Sequence, residues 1–566
     1  MTQRVSKSKS KTGRSRTAAE LFVECLESEG VTRVFGVPGE ENLDMLDALR
    51  KSSIRFIVTR HEQAAVFMAA TYGRLSGHAG VAMATLGPGA TNTLTGAAFA
   101  QLGGMPLLIV TGQKPIKTGK QGAFQIIDVV GMMRPITKRA STIVSAEKIP
   151  SAVRQAFKVA EAERPGAVHI EFPEDIAGEE VPKSLVPLSR ILVRRAGPDP
   201  KAIDDAVAMI QDAQHPLLIL AAGANRKLVC KHLVKFIEKT SIPFVTTQMG
   251  KGVIDERSEK YIGTTALSGS EYVHCAIDEA DLVIVVGHDV TEKPPAALRE
   301  GAKKIIHINF YFADVDDLYS PTHEVVGDIS HSIWAITNAV LPSPKWDFSY
   351  FTELSAVSRQ SLQENAGSSA FPLKPQRIVA DIREVMPPNG IVSLDNGMYK
   401  LWFARNYRAY EQNTLLLDNA FATMGAGLPG AISAKMVFPD RVVIAVCGDG
   451  GFMMSVQDLE TAVRLKLDLV IVVLQDNAYG MIEWKQKNMG MPPFGLRFNN
   501  PDFVALAGSF GAIGHRIESA SALNATLKSA LASGGVHLIE CPIDYSENEK
   551  IFSDSSQKMK KKKCAL

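Results

Sequence analysis

Adjacent histidines, Cys-x-x-Cys pairs and long apolar runs are all missing from this chain of 566 residues. Its six cysteines (Cys25, Cys230, Cys275, Cys447, Cys541 and Cys564) are scattered. That spacing excludes a paired-cysteine zinc site and offers no disulfide framework. No apolar stretch approaches the ~18 residues that suggest a membrane helix, and no signal-peptide core opens the chain. The expectation is a soluble, cytoplasmic protein with no membrane partner. Net charge is also small, at +2, and it is unevenly placed. Arg4, Lys7, Lys9, Lys11, Arg14 and Arg16 open the chain, and Lys558 with Lys560, Lys561, Lys562 and Lys563 closes it, so the body between them is net acidic. A net-acidic body lacks the electrostatic footprint of a nucleic-acid binder. The basic ends are read as solvated tails, 1–16 and 553–566.

What is present is an ordinary globular composition, 46% hydrophobic and 22% charged. At ~150 residues per domain the length suggests three or four domains. Two stretches read as linkers, Pro182 to Pro200 and Pro342 to Pro375, and cut the chain into thirds, 17–182, 200–341 and 372–552. Each third alternates short apolar runs with helix-like segments. MPLLIVTG and GAVHIEFP in the first third, HPLLILAAG, ADLVIVVGHD and KKIIHINF in the second, and RVVIAVCGDG and LDLVIVVLQD in the last have the length and purity of strands buried on both faces. The predicted fold class is therefore α/β, as three doubly wound parallel-sheet domains.

The chemistry concentrates between Arg441 and Met481. A predicted strand from Val442 to Cys447 runs into Gly448-Asp449-Gly450-Gly451, a helix follows, and a second strand from Leu469 to Leu474 ends in Gln475-Asp476-Asn477. The two strands of such a unit run parallel, so Asp449 and Asp476 emerge at the same carboxyl edge, where open α/β sheets bind ligands. Two carboxylates beside glycines at a helix N-terminus suit a divalent cation that bridges to phosphate. A lone Gly-Asp-Gly is common by chance; the pairing across two strand ends is what carries the inference.

This segment resembles the diphosphate and magnesium motif of thiamine diphosphate enzymes, and the likeness extends over nearly the whole chain. VFGVPGEENLD, VTRHEQAAVFMAATYGRLSG, LGPGATNTLTGAAFAQLGGMPLLIVTG and AFQIIDVVGMMRPITK are similar to that family's pyrimidine-binding domain. Within the family the chain is most similar to acetolactate synthases, and more to the catabolic, flavin-independent branch than to the biosynthetic one. The resemblance implies N-terminal pyrimidine-binding, central, and C-terminal diphosphate-binding domains, with thiamine diphosphate and Mg2+ as cofactors. It implies that Glu62 hydrogen-bonds the pyrimidine ring and that Gln125 lies beside the reacting centre. Val37, Pro38, Thr85, Pro88 and Asn92 would form the pyrimidine pocket. Met424 would wedge the cofactor into a bent shape, Tyr399 would lie in a diphosphate-contacting turn with Gly450 and Gly451 opposite, and Asp449, Asp476 and the Ala478 carbonyl would hold the metal. It also implies a homodimer or homotetramer with active sites between chains.

The implied reaction is decarboxylation of pyruvate and ligation of the remaining two-carbon unit to a second pyruvate, giving 2-acetolactate and CO2. Simple 2-keto acid decarboxylases of this family carry an adjacent His-His pair to protonate that unit, and this chain has none. The alternatives are a carboligase or 2-keto acid decarboxylase with another acceptor, or a non-catalytic relative acting as a regulator. The latter should lack Glu62 or an aspartate ligand, and both are present. FAD is not expected, because the segment after the strand Leu282 to Val286 lacks the Arg-Phe-Asp-rich sequence of the flavin-binding branch. Trp484 is expected beside the substrate path. Lys485 stands where catabolic synthases typically have a glutamine nearby, which leaves a larger acidic or phosphorylated acceptor open.

Overall fold

The computed structural model describes residues 16–117, 122–191, 195–265, 267, 272–293, 298, 303–552 and 564. The chain divides into two compact units, one of residues 1–69, 79–101 and 106–192 and one of the remainder.

The first unit holds one six-stranded sheet, in spatial order Arg55–Val58, Arg33–Gly36, Gly80–Ala84, Leu107–Gln113, Ala167–Pro173 and Arg139–Thr142. Every adjacent pair is parallel. Leu107–Gln113 and Ala167–Pro173 are buried at every position, which is why they read as largely apolar runs, and their polar residues pair with each other, Thr111 with His169 and Gln113 with Glu171. The helix Ala18–Ser28 covers one face. It starts from a capping box in which Thr17 accepts from the Glu20 N–H and Glu20 accepts from Thr17, and it stacks Phe22 on Phe172 with ring centroids 4.9 Å apart.

The second unit holds two more six-stranded parallel sheets. The central one runs Tyr261–Thr264, Phe244–Thr246, Pro216–Leu220, Leu282–Val286, Lys304–Asn309 and His323–Val326. The C-terminal one runs Leu415–Leu416, Ile391–Leu394, Val443–Gly448, Leu469–Gln475, Val536–Pro542 and Ile513–Arg516. Numbered by chain order within each sheet, the first and last share the order 2-1-3-4-6-5, whereas the central sheet is 3-2-1-4-5-6, the dinucleotide-fold order. Three parallel α/β sheets are what the apolar runs predict.

Three expectations need correction. The stretch from Pro342 to Pro375 contains a helix, Ser349–Ser361, that packs on the central sheet. Its inner face includes Ser355 and Ser358, which donate to the Tyr261 and Ile262 carbonyls at 2.9 and 2.7 Å, so its apolar periodicity is weak although the face is buried. Arg16 belongs to the fold and not to a tail: its backbone pairs with Val181 and its guanidinium bonds Glu24 at 2.7 Å. Cys275 and Cys564 form a disulfide across 289 residues of sequence, a pairing no spacing rule reveals. The rest of the two basic ends lies outside the described residues. Among the described residues no helix is long and apolar enough to cross a membrane.

Candidate active site

In the C-terminal sheet the chain turns outward from Ile391–Leu394 to one side and continues through Val443–Gly448 on the other. The carboxyl ends of these two strands therefore form a topological switch point. A cavity of about 290 Å³ opens there, walled by the turns after three successive strands: Asn396 to Tyr399, Gly448 to Gly451, and Asp476 to Ile482.

Asp449 is 1% exposed and starts the short helix Asp449–Met453. Its Oδ1 accepts from the Gly450 N–H at 2.8 Å. Its Oδ2 accepts from the N–H groups of Asp476 (3.2 Å) and Asn477 (2.8 Å) and from Asn500 Nδ2 (2.8 Å). Burial raises its carboxyl above the ordinary range, against these hydrogen bonds. Asp476 is pushed up to about 7, first by burial and then by the charge of Asp449, while the Ala478 N–H opposes the shift. A buried carboxylate beside a half-buried one whose charge it disfavours calls for a cation. Among the described residues no group of three His, Cys, Asp or Glu side chains could hold one. Two carboxylates completed by carbonyl, phosphate and water oxygens suit magnesium and not zinc.

The anion side of the site is equally specific. A Cβ on Gly450 would lie 3.0 Å from the Tyr479 ring, and one on Gly451 only 2.5 Å from Asp395 Oδ2, so the turn has no room for side chains and leaves its backbone to a ligand. The helix Met398–Asn406 begins at the same edge with Gly397 as N-cap and no capping side chain. Its first N–H groups are one more set of donors for a diphosphate. Tyr399, 2% exposed, and Met424 both line the cavity, as does Ala478. These residues fit a magnesium diphosphate.

The pyrimidine-side candidates gather at the carboxyl edge of the first sheet. Glu62 opens the helix Glu62–Ser76 and is half-buried, not turned out to solvent as an isolated helix-start charge would be. Asn92 Nδ2 donates to its Oε2 at 3.0 Å, and a Cβ on Gly89 would stand 3.4 Å from its Oε1 and 2.8 Å from Thr85. Pro88 starts the helix Pro88–Asn92, and Val37 and Pro38 follow the strand Arg33–Gly36. Gln125 adopts a left-handed backbone, φ 57°, and its backbone oxygen lies 3.0 Å from where a Gly87 Cβ would be.

Three functional residues escape sequence reasoning. Asn500 bridges Asp449 and the Asn477 side chain, both at 2.8 Å, from a turn with no periodic signal. Asp395 follows the strand Ile391–Leu394 and supports the glycine turn. Tyr545 follows the strand Val536–Pro542, lines the cavity, and accepts a hydrogen bond from the Tyr399 backbone. The strand-end rule that identifies Asp449 would also have reached Asp395 and Tyr545. Conversely, Trp484 packs half-buried against the C-terminal core and Lys485 is exposed, and neither lines the cavity, whereas Met481 and Ile482 do.

Parallel sheets carrying a paired-aspartate glycine turn on one and a helix-start glutamate on another define a cofactor-binding α/β enzyme class. The family models described as the N-terminal TPP binding domain, central domain and C-terminal TPP binding domain of thiamine pyrophosphate enzymes match residues 16–132, 203–336 and 395–541. The chain belongs to the thiamine pyrophosphate enzyme family. The acetolactate synthase of Bacillus subtilis (strain 168) is 34% identical over 548 residues, covering 95% of both chains. The catabolic acetolactate synthase of Raoultella terrigena is 32% identical over 534 residues, covering 94% of this chain and 95% of its own. The acetolactate synthase isozyme 2 large subunit of Escherichia coli (strain K12) is 30% identical over 543 residues, covering 94% and 96%.

Proposed function

We propose that this chain is an acetolactate synthase that uses thiamine diphosphate and magnesium to convert two pyruvates into 2-acetolactate and CO2. The observation that carries the reading is the Asp449/Asp476 pair at the switch point, in a chain similar along nearly its full length to acetolactate synthases. Its domains are taken as pyrimidine-binding 17–182, central 200–341 with the helix Ser349–Ser361 packed on it, and diphosphate-binding 372–552.

When bound, thiamine diphosphate supplies a nucleophilic carbon and an electron sink for decarboxylation. Asp449 and Asp476 hold the metal, and Asn500 keeps the Asp449 carboxylate turned toward it. The N–H groups at Gly450 and Gly451 and at the start of the helix Met398–Asn406 take the diphosphate oxygens. Met424 would support the cofactor from the cavity wall. Glu62, held by Asn92, would hold a proton at the pyrimidine ring. Met424, Met454, Met481 and Ile482 make one side of the cavity apolar, which suits attack on a second carbonyl, while the phenols of Tyr399, Tyr479 and Tyr545 line the same cavity. The N-terminal half-site of one copy and the C-terminal half-site of another complete each active site, so the active unit is at least a homodimer.

Incubation of the purified protein with pyruvate, magnesium and thiamine diphosphate should give 2-acetolactate as the main product by mass spectrometry. Acetaldehyde as the main product would make it a decarboxylase. Flavin plays no part in this reading. The protein should purify without visible flavin absorbance and show no response to added FAD. A stoichiometric yellow chromophore would overturn this.

A further inference from the structure

The segment that carries Met424 has no helix or strand of its own between Leu416 and Gly427, yet it is pinned at both ends by carboxylates. At its start the Asp418 side chain accepts from the N–H groups of Ala420 (3.3 Å), Phe421 (3.2 Å) and Ala422 (2.8 Å). At its end Asp395 accepts from the Gly425 N–H at 2.9 and 3.0 Å and from the backbones of Ala426 and Gly427. Between the two, Ala422 (φ 53°) and Gly425 (φ +87°) both take left-handed backbone, a conformation a non-glycine holds only when its surroundings impose it.

Asp395 is 2% exposed, and its carboxylate accepts from backbone N–H groups, including that of Asn396 at 2.7 Å. It acts as a cap delivered from another strand. The helix Gly427–Val437 has Ala426 at its N-cap and no capping side chain, so its first donors would otherwise be left without a partner. The same carboxylate fills the space that Gly451 leaves open, since a Cβ there would stand 2.5 Å from Oδ2 and one on Gly427 2.7 Å from the Asp395 Cβ. Its own N–H continues the sheet to the Val446 carbonyl at 2.9 Å. One rigidly seated side chain thus touches both the loop that carries Met424 and the glycine turn that follows Asp449.

We propose that Asp395 is a positioning residue for the reaction: its carboxylate locks the Met424 segment against the glycine turn and so sets how far Met424 stands into the cofactor cavity. The inference rests on the thiamine diphosphate reading of the site. A carboxylate is required because an amide offers one acceptor oxygen and would turn its NH2 toward either the Gly425 to Gly427 donors or Gly451. Charge also favours it at a helix N-terminus.

The test uses full-length holoenzyme and two variants, Asp395→Asn and Asp395→Ser, the second leaving room for water to take the N–H groups. Two quantities are read without pyruvate: the dissociation constant for thiamine diphosphate at saturating magnesium, and the rate of hydrogen–deuterium exchange at the thiazolium carbon of the bound cofactor by quenched NMR. A folded variant should bind the cofactor and slow exchange on the order of 100-fold, the cost of an ångström-scale misplacement. Met424→Ala should slow it similarly, and the double variant should be no slower than the slower single. Wild-type exchange in whichever Asp395 variant folds, or effects that multiply in the double variant, would overturn the role of Asp395 alone. Wild-type protein that binds no thiamine diphosphate would overturn the reading of the site and the inference with it.

Discussion

Asp449→Ala should abolish retention of the cofactor, weakening magnesium-dependent thiamine diphosphate binding by at least ~100-fold, the upper end of what losing a mere outer-shell partner costs. The carboxylate is the meeting point of both strand ends. Removing it takes away the proposed metal ligand and leaves the N–H groups of Asp476 and Asn477 without their acceptor, each at about 1–3 kcal/mol, and the Asn500 amide with only the Asn477 side chain. Asp449→Asn separates the two effects, because it keeps the shape while lowering the charge. Wild-type protein should melt higher when magnesium and thiamine diphosphate are added together, by the usual linkage of ligand to the folded state, and neither variant should. A normal melting shift in Asp449→Ala would remove the metal assignment. The same geometry sets a pH dependence. With Asp476 at about 7 in the absence of a cation, metal binding must displace a proton below that pH, so cofactor affinity should weaken as pH falls through about 7 and level off above it. Isothermal titration across that range, with proton release measured in two buffers, checks the sign.

Glu62→Gln should lower turnover by on the order of 10²- to 10⁴-fold while leaving thiamine diphosphate binding nearly unchanged, the range of a general acid–base contribution. The variant keeps length and volume and still accepts from Asn92, so the helix start at Glu62–Ser76 should hold its place. What it loses is the acidic proton shared with the pyrimidine ring. The slow step should move to proton removal from the thiazolium carbon, read as slower hydrogen–deuterium exchange with pyruvate absent. An unchanged exchange rate would remove Glu62 from the mechanism, and a large loss of binding would make it a structural contact.

Much of this architecture follows from local physics. A strand buried on both faces is apolar nearly throughout, so Leu282–Val286 and Leu469–Gln475 announce themselves, and two parallel strands joined by a helix must end at the same edge, which brings Asp449 and Asp476 together from the sequence alone. The helix Ser349–Ser361 breaks the pattern because two of its buried positions are serines satisfied by strand carbonyls, a polar solution to burial that hydrophobic periodicity does not register. Glu62 shows the limit from the other side. By its place in the chain it is an ordinary helix-start charge, and only the contact with Asn92 and the closeness of Gly89 make it a half-buried acceptor.

The order of residues alone therefore settled the class of fold and the sheet edge at which Asp449 and Asp476 meet, because each depends on periodicity or on a chirality rule that acts within some thirty neighbours. Folding in three dimensions settled the rest. Asn500 reaches Asp449 from 51 residues away, Cys564 meets Cys275 across 289, and Asp395 gathers the Gly425 to Gly427 donors from a different strand. The first and last of these arise where turns from separate strands are driven to one edge, and the disulfide ties a helix to the far end of the chain. No local rule encodes which polar group will find which partner there, since that is decided by the packing of the sheet beneath them and by the cost of leaving any buried donor unpaired.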